Sequence, residues 1–265
     1  MLVSFISPVK FLRRIDKKGD ISFALGHIAL ESEEYRTWFA NISTTRLTML
    51  DNGAFELGGS IPADKLIELC REMLPHEVYG PDYPGDPLRT LLETTQFAKK
   101  VKKLKLCTAL GDQIRVVGCV QGDTLSEWLS CYRQMSECED IDTLAVPICT
   151  LSDFATDEEP RLRQGMTRIR LVRSLHDLGV IKKPLHLTGL DHPQELREYK
   201  DIPLVRSMDS TSAVVHGMAG VRFEKDNWAG KIKKKLDFNL DVITEGQFAD
   251  IQHNIEMIRR FAHGI

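Results

Sequence analysis

Short apolar runs alternate with longer stretches of helical period along most of the chain, and each run ends in a polar or turn-forming cluster. Residues 21–29, ISFALGHIA, read as a buried strand. Residues 31–41 read as a short helix with Tyr35, Trp38 and Phe39 on its apolar side. A strand at 47–50 ends in Asp51. Pro62 then opens a helix to Met73, with Leu66, Ile67, Leu69 and Cys70 facing a core. A strand at 77–80 runs into PDYPGDP, and a helix follows over about 88–103. The strand Arg115 to Val120 runs into Gln121-Gly122, ahead of a helix at 124–136. Strand 142–148 and helix 160–178 come next. Strand 185–188 then runs into Gly189, and His192-Pro193 opens a short helix to about 199. Strand 203–208 runs into Asp209, and 210–217 is compatible with a helix. The tail 244–262 carries Phe248, Ile251, Ile255, Ile258 and Phe261 at helical spacing. The polar, basic segment 220–240 is the least defined, and an eighth strand is expected there.

Strand and helix alternate at least six times, which favours a parallel sheet with helical crossovers. Seven or eight strands favour a (β/α)8 TIM-like barrel over an open doubly wound sheet. No linker or repeat divides the chain, so one domain over residues 1–265 is expected. Neither GxGxxG nor GxxxxGK[ST] occurs, which removes the usual nucleotide folds.

In such a barrel the residues just past each strand meet at one mouth. They are Asp51, Asn52 and Phe55; Asp82; Gln121 and Gly122; Leu144 and Ala145; Gly189; and Asp209. Two acids facing one site can divide labour, one attacking as a carboxylate and the other moving a proton. A third acid with a glutamine suits a base edge that offers N–H donors and a carbonyl, as guanine does. Phe55 would stack on such a base. Each residue also has a plainer reading. Asp51 and Asp82 sit in turn sequences, Gln121 can satisfy backbone groups, and Asp209 can cap the next helix.

Composition narrows the partners. Formal net charge is −3, so no global basic field favours nucleic acid. Positive charge concentrates in 99–105 (KKVKKLK) and 225–235. The first reads as the solvated face of a helix. The second follows Asp209 and contains Trp228, so Lys231, Lys233, Lys234, Lys235 and Trp228 are the candidate phosphate contacts. The six cysteines all precede residue 150 and show no CxxC or Cys/His ligand spacing. They read as reduced thiols of a cytoplasmic compartment, with no structural zinc, no other metal and no cofactor. The longest apolar runs fall far short of a membrane span, and the N-terminus does not read as a signal peptide.

Taken in order, six segments resemble the tRNA-guanine transglycosylase superfamily. LDNGAF at 50–55 is similar to its D-S-G-G-F/Y strand end, and PDYPGDP at 81–87 to its D-E-C-x-P-Y-P. VVGCVQG at 116–122 is similar to its hydrophobic-VQG strand, and TLAVP at 143–147 to its G-L-A-V-G. LHLTGLDHPQEL at 185–196 is similar to its Y-L-M-G-V-G-x-P-x-x-L. MDSTSAVVHG at 208–217 is similar to its F-D-C-x-x-P-T-R-x-A-R-H-G. The family's C-x-C-x-x-C…H zinc module is absent, and Ser210 stands where the family has Cys. This trimmed form looks most like the DNA 7-deazaguanine transglycosylases of phages.

The resemblance implies roles. Asp209 corresponds to the nucleophile that forms a covalent glycosyl-enzyme, and Asp51 to the general acid/base. Asp82, Gln121 and Gly122 correspond to the base-edge contacts, Leu144 to a backbone contact and Phe55 to the stacking ring. The implied substrates are DNA, with tRNA as the alternative, and a 7-deazaguanine base such as preQ0. A noncatalytic transglycosylase-like subunit should lack one carboxylate, yet Asp51 and Asp209 are both present. A metal-dependent barrel hydrolase wants a His-rich strand-end cluster, which the spacing of the eight histidines does not supply.

Overall fold

A computed structural model describes residues 1–149, 160–190, 192–224, 236–239 and 241–264. Eight parallel strands form a nearly closed, TIM-barrel-like sheet in the order β1-β8-β7-β6-β5-β4-β3-β2. They are β1 (Leu2–Phe5), β2 (Ser22–Ala24), β3 (Thr48–Leu50), β4 (Glu77–Tyr79), β5 (Arg115–Cys119), β6 (Thr143–Pro147), β7 (Leu185–Thr188) and β8 (Val205–Ser210). The helices are α1 (Leu12–Ile15), α2 (Gly26–Glu31), α3 (Glu33–Ile42), α4 (Ala54–Leu57), α5 (Ala63–Met73), α6 (Pro87–Lys103), α7 (Leu125–Glu137), α8 (Pro160–Asp177), α9 (Ser212–Met218) and α10 (Glu245–His263). Four of the eight strands, β2, β3, β4 and β6, are buried along their whole length, because helices cover the outside while side chains fill the barrel.

The closing strand differs from expectation. Among the described residues it is β1, paired with β8 from Leu2 opposite Ser207 to Phe5 opposite Ser210, where a strand near 220–240 was expected. Residues 221–224 have no regular structure, and 225–235 lie outside the described residues. The seam between β1 and β2 is bridged when Val3 O accepts from Asp20 N at 2.8 Å and Val3 N donates to Asp20 Oδ2 at 3.0 Å. The run 21–29 is also not one strand. It divides into β2 and α2 at Gly26, where a Cβ would lie 2.3 Å from the Asp51 carbonyl oxygen. The backbones of the loops that follow β2 and β3 touch there, so only glycine fits. The segment 193–199 is a 3-10 helix.

Caps fix where helices start. Thr124 and Thr244 form capping boxes with Glu127 and Gln247, and Asp86 caps α6 ahead of Pro87. At the N-terminal end of the barrel, fully buried Glu77 accepts from Arg206 Nη1 and Nη2 at 2.7 and 2.6 Å and pairs with Arg115 Nε at 3.0 Å. Two guanidinium groups on one carboxylate offset its desolvation and plug the floor. The C-terminal end is left open as the mouth.

Candidate active site

A cavity of about 350 Å3 opens at this mouth, within the size range of small-molecule sites. Asp51, Asp82, Gln121, Gly122, Gly189 and Asp209 line it, with Asn52 in its wall. Phe55, in α4, stands at its rim and is 72% exposed, so its ring is available to a ligand from outside.

Asp51 follows β3, and its Oδ2 accepts from Gly53 N at 2.8 Å. Gly53 holds φ +75°, a left-handed value that an L side chain resists. The Asp51 carboxyl is pushed well above the ordinary carboxylate range. Burial of the group is the largest cause, followed by the negative charge of Glu56 and, more weakly, Asp82 and Asp209. The residue as a whole is half-buried.

Asp82 is held from both sides. Asn52 Nδ2 donates to its Oδ1 at 2.6 Å, and Gln121 Nε2 donates to its Oδ2 at 2.6 Å. Burial raises the Asp82 carboxyl, and these donors oppose the rise. Asn52 also donates to Gly80 O at 2.6 Å and accepts from Ala54 N at 3.0 Å. Its amide is therefore spent on the protein. Asn52, one of the strand-end residues, thereby positions Asp82.

Asp209 lies inside β8, opposite Ser4 on β1 and Thr188 on β7, and only 4% of it is exposed. Its Oδ1 lies 3.0 Å from Nε2 of His186, a fully buried histidine on β7. Sequence reading missed His186. The signal was parity: His186 and Thr188 are two apart on β7, as Ser207 and Asp209 are on β8, so each pair shares a face. Thr188 Oγ1 in turn meets the Tyr79 hydroxyl at 2.9 Å.

The glycines have backbone reasons. A Cβ on Gly122 would lie 2.4 Å from Trp128 N, so glycine lets the end of β5 approach α7. Gly189 sits at φ +75°, and its carbonyl accepts from Arg168 Nη2 at 2.7 Å. Arg168 and Glu195, both fully buried and paired at 2.7 Å, clamp the ends of β6 and β7, because Arg168 Nη1 also donates to Val146 O and Thr188 O.

Leu144 is a correction. It is the second residue of β6, fully buried, and its N–H is used by Pro184 O at 3.0 Å. The strand runs on to Pro147, so Pro147, Ile148 and Cys149 form that part of the mouth. Trp228, Lys231, Lys233, Lys234 and Lys235 lie outside the described residues.

No family model matches the chain, and no curated protein matches it. The chemistry therefore rests on the cavity itself. Five acidic residues line it, Asp51, Glu56, Asp82, Asp123 and Asp209. Among the described residues, His27, Asp51 and Glu56 form the group whose donor atoms, all within 4.8 Å of one another, could hold a metal ion. That mixed set has no sequence spacing to betray it. The cavity can thus present one acid poised to give up a proton, one carboxylate in the strand wall, and a fixed row of acceptors and donors from Asp82 and Gln121.

Proposed function

We propose that the chain is a base-exchange glycosyltransferase, replacing guanine in DNA with a 7-deazaguanine through a covalent Asp209–glycosyl intermediate. The observation that carries the reading is the meeting of Asp209 and Asp51, from opposite halves of the chain, in one cavity that also holds the Asp82–Gln121 pair. Two acids in different settings suit two roles. The ordered resemblance of six segments to the transglycosylase superfamily points the same way.

The reaction is a double displacement of the retaining-glycosidase kind. The target guanosine leaves the stack so that its C1′ can reach the cavity. Asp209 attacks C1′, the C1′–N9 bond breaks, and its electron pair goes to N9. Asp51, whose raised carboxyl keeps a proton at higher pH than an ordinary acid, protonates the departing base. The incoming 7-deazaguanine gives its N9 proton back to Asp51 and attacks C1′. The C1′–oxygen bond to Asp209 breaks, and that electron pair returns to the carboxylate. Asp82 and Gln121 grip the base edge, and Phe55 covers its face from the rim.

Incubating purified protein with labelled guanine and either DNA or tRNA tests this directly. Incorporation into DNA, with a covalent protein–DNA species on denaturing gels, is expected. Incorporation into tRNA alone would move the substrate to RNA, and incorporation into neither would end the proposal.

A further inference from the structure

His186 is the buried group the exchange scheme leaves unused. It lies on β7 with no exposed surface, its ring stacked on Phe23 at 5.7 Å between centroids and 8° between planes. Tyr79 meets it edge-on at 6.2 Å. Its neighbours along the strand, Leu185 and Leu187, are the residues a barrel strand ordinarily carries. A buried imidazole costs desolvation unless both nitrogens are matched. Here both are: Nε2 lies 3.0 Å from Asp209 Oδ1, and Nδ1 lies 2.8 Å from Ser207 Oγ.

A carboxylate at Asp209 only accepts, which assigns the N–H to Nε2, and the other side of the ring is compatible with that. Arg206, gripped by Glu77, donates through Nε to Ser207 Oγ at 3.4 Å. That contact uses a lone pair of the hydroxyl, so the hydroxyl proton is free to point at His186 Nδ1. Nδ1 then accepts, and Nε2 carries the N–H that meets the carboxylate. A β-bulge makes the chain of contacts feasible. Register slips between Leu185 opposite Val205 and His186 opposite Ser207, which leaves Arg206 as the extra residue. Arg206 can therefore reach Glu77 at the floor while Ser207 still faces His186.

We propose that His186 is a positioning residue for Asp209: its Nε2–H holds Oδ1, turns Oδ2 toward the cavity as the attacking oxygen, and stabilises the charge that returns to the carboxylate when the glycosyl bond breaks. The inference rests on the base-exchange reading for its catalytic half. His186 gives up no proton in either displacement. When Asp209 is glycosylated through Oδ2, its Oδ1 becomes a neutral ester carbonyl and the N–H bond to it weakens. When the electron pair returns, the bond strengthens again, so the donor favours the charged side of both steps.

Two measurements test it. Long-range proton–nitrogen correlation spectra of histidine-labelled protein at neutral pH should show His186 as the Nε2–H tautomer, with a changed Nε2–H signal in Asp209→Asn. This arm needs no substrate. Single-turnover trapping on DNA should show adduct formation slowed about 10- to 100-fold in His186→Phe, a variant whose ring still stacks on Phe23. His186→Gln, which carries an amide N–H near the place of Nε2, should recover most of that rate. A merely structural histidine would leave Phe and Gln alike in rate. An Nδ1–H tautomer, or a wild-type rate in His186→Phe, overturns the inference. If wild-type protein forms no adduct on any nucleic acid, the exchange reading falls and the catalytic half falls with it, while the spectra still decide whether His186 holds Asp209.

Discussion

In the proposed exchange, side-chain identity at two positions decides the chemistry. Asp209→Asn lacks the carboxylate needed to attack, so it should abolish both the trapped protein–DNA adduct and turnover. Asp51→Asn keeps the attacking group and loses the proton donor, which should slow exchange by roughly 10²–10⁴-fold. An adduct that persists in Asp209→Asn would shift the nucleophile to Asp51. The raised carboxyl of Asp51 also sets a pH dependence. Base departure needs its acid form, so adduct formation should be flat at low pH and decline as pH rises through the raised value. Glu56 is the second cause of that rise after burial. Glu56→Gln should therefore move the decline to lower pH in single-turnover assays, and an unmoved profile would remove Glu56 from the acid's environment. Asp51 and Asp209 were legible as strand-end acids because each follows or ends a short apolar run. His186 was not, since one histidine in an apolar strand carries no local sign of a partner 23 residues away.

Between elements, two packing interactions offer tests of stability. Asp16, fully buried, takes a hydrogen bond from Ser22 Oγ at 2.9 Å and faces Arg46 at 3.4 Å, so it ties β2 to the loop before β3. Burial outweighs both partners and pushes its carboxyl up to about 6. In the unfolded chain an Asp titrates near about 3.9, so between these values the folded state holds the extra proton. Stability from this group is present below the unfolded value and is lost as pH rises to the folded one, by at most about 3 kcal/mol. Urea midpoints should fall across that window in wild type, and Asp16→Asn should flatten the fall; equal slopes would refute it. The second test is helix packing. A Cβ on Gly217 of α9 would lie 2.5 Å from Ile251 N on α10, a backbone clash that no rotamer relieves. Gly217→Ala should cost about 1–3 kcal/mol or more, read as a lower thermal midpoint. The helical spacing of α10 was plain in the sequence, whereas the partner it meets at Gly217 was not.

For the molecule as a whole, charge and topology disagree with a simple basic face. The cavity mouth gathers five acidic residues in a chain of net charge −3, so in the proposed exchange a DNA backbone would be met elsewhere. The run 99–105 sits at the end of α6, where Lys102 reaches Glu139 O at 2.7 Å just before β6 begins. In a (β/α) barrel that is the face opposite the mouth. Neutralising Lys99, Lys100 and Lys103 should leave the salt dependence of DNA binding unchanged. Neutralising Lys231, Lys233, Lys234 and Lys235 should flatten it, by a slope of about 1 for each phosphate no longer neutralised by the protein. The reverse outcome would put the nucleic acid on the other end of the barrel.

Local pattern alone determined the alternation of strand and helix, the barrel class, and the acids that follow β3 and β4 or lie near the end of β8. Those are properties of period and of turn residues, which neighbours along the chain express. Tertiary structure decided that β1 closes the sheet, because four residues carry too little period to announce a strand, and β8, the strand they pair with, begins about 200 residues on. It decided that Leu144 lies below the mouth, since strand length beyond a turn signal depends on what the neighbouring strands pair with. It also decided that the Asn52 amide is spent on Asp82 and that His186 holds Asp209. Hydrogen bonds across a barrel join residues by register, and register is set by the whole sheet rather than by any one segment of it.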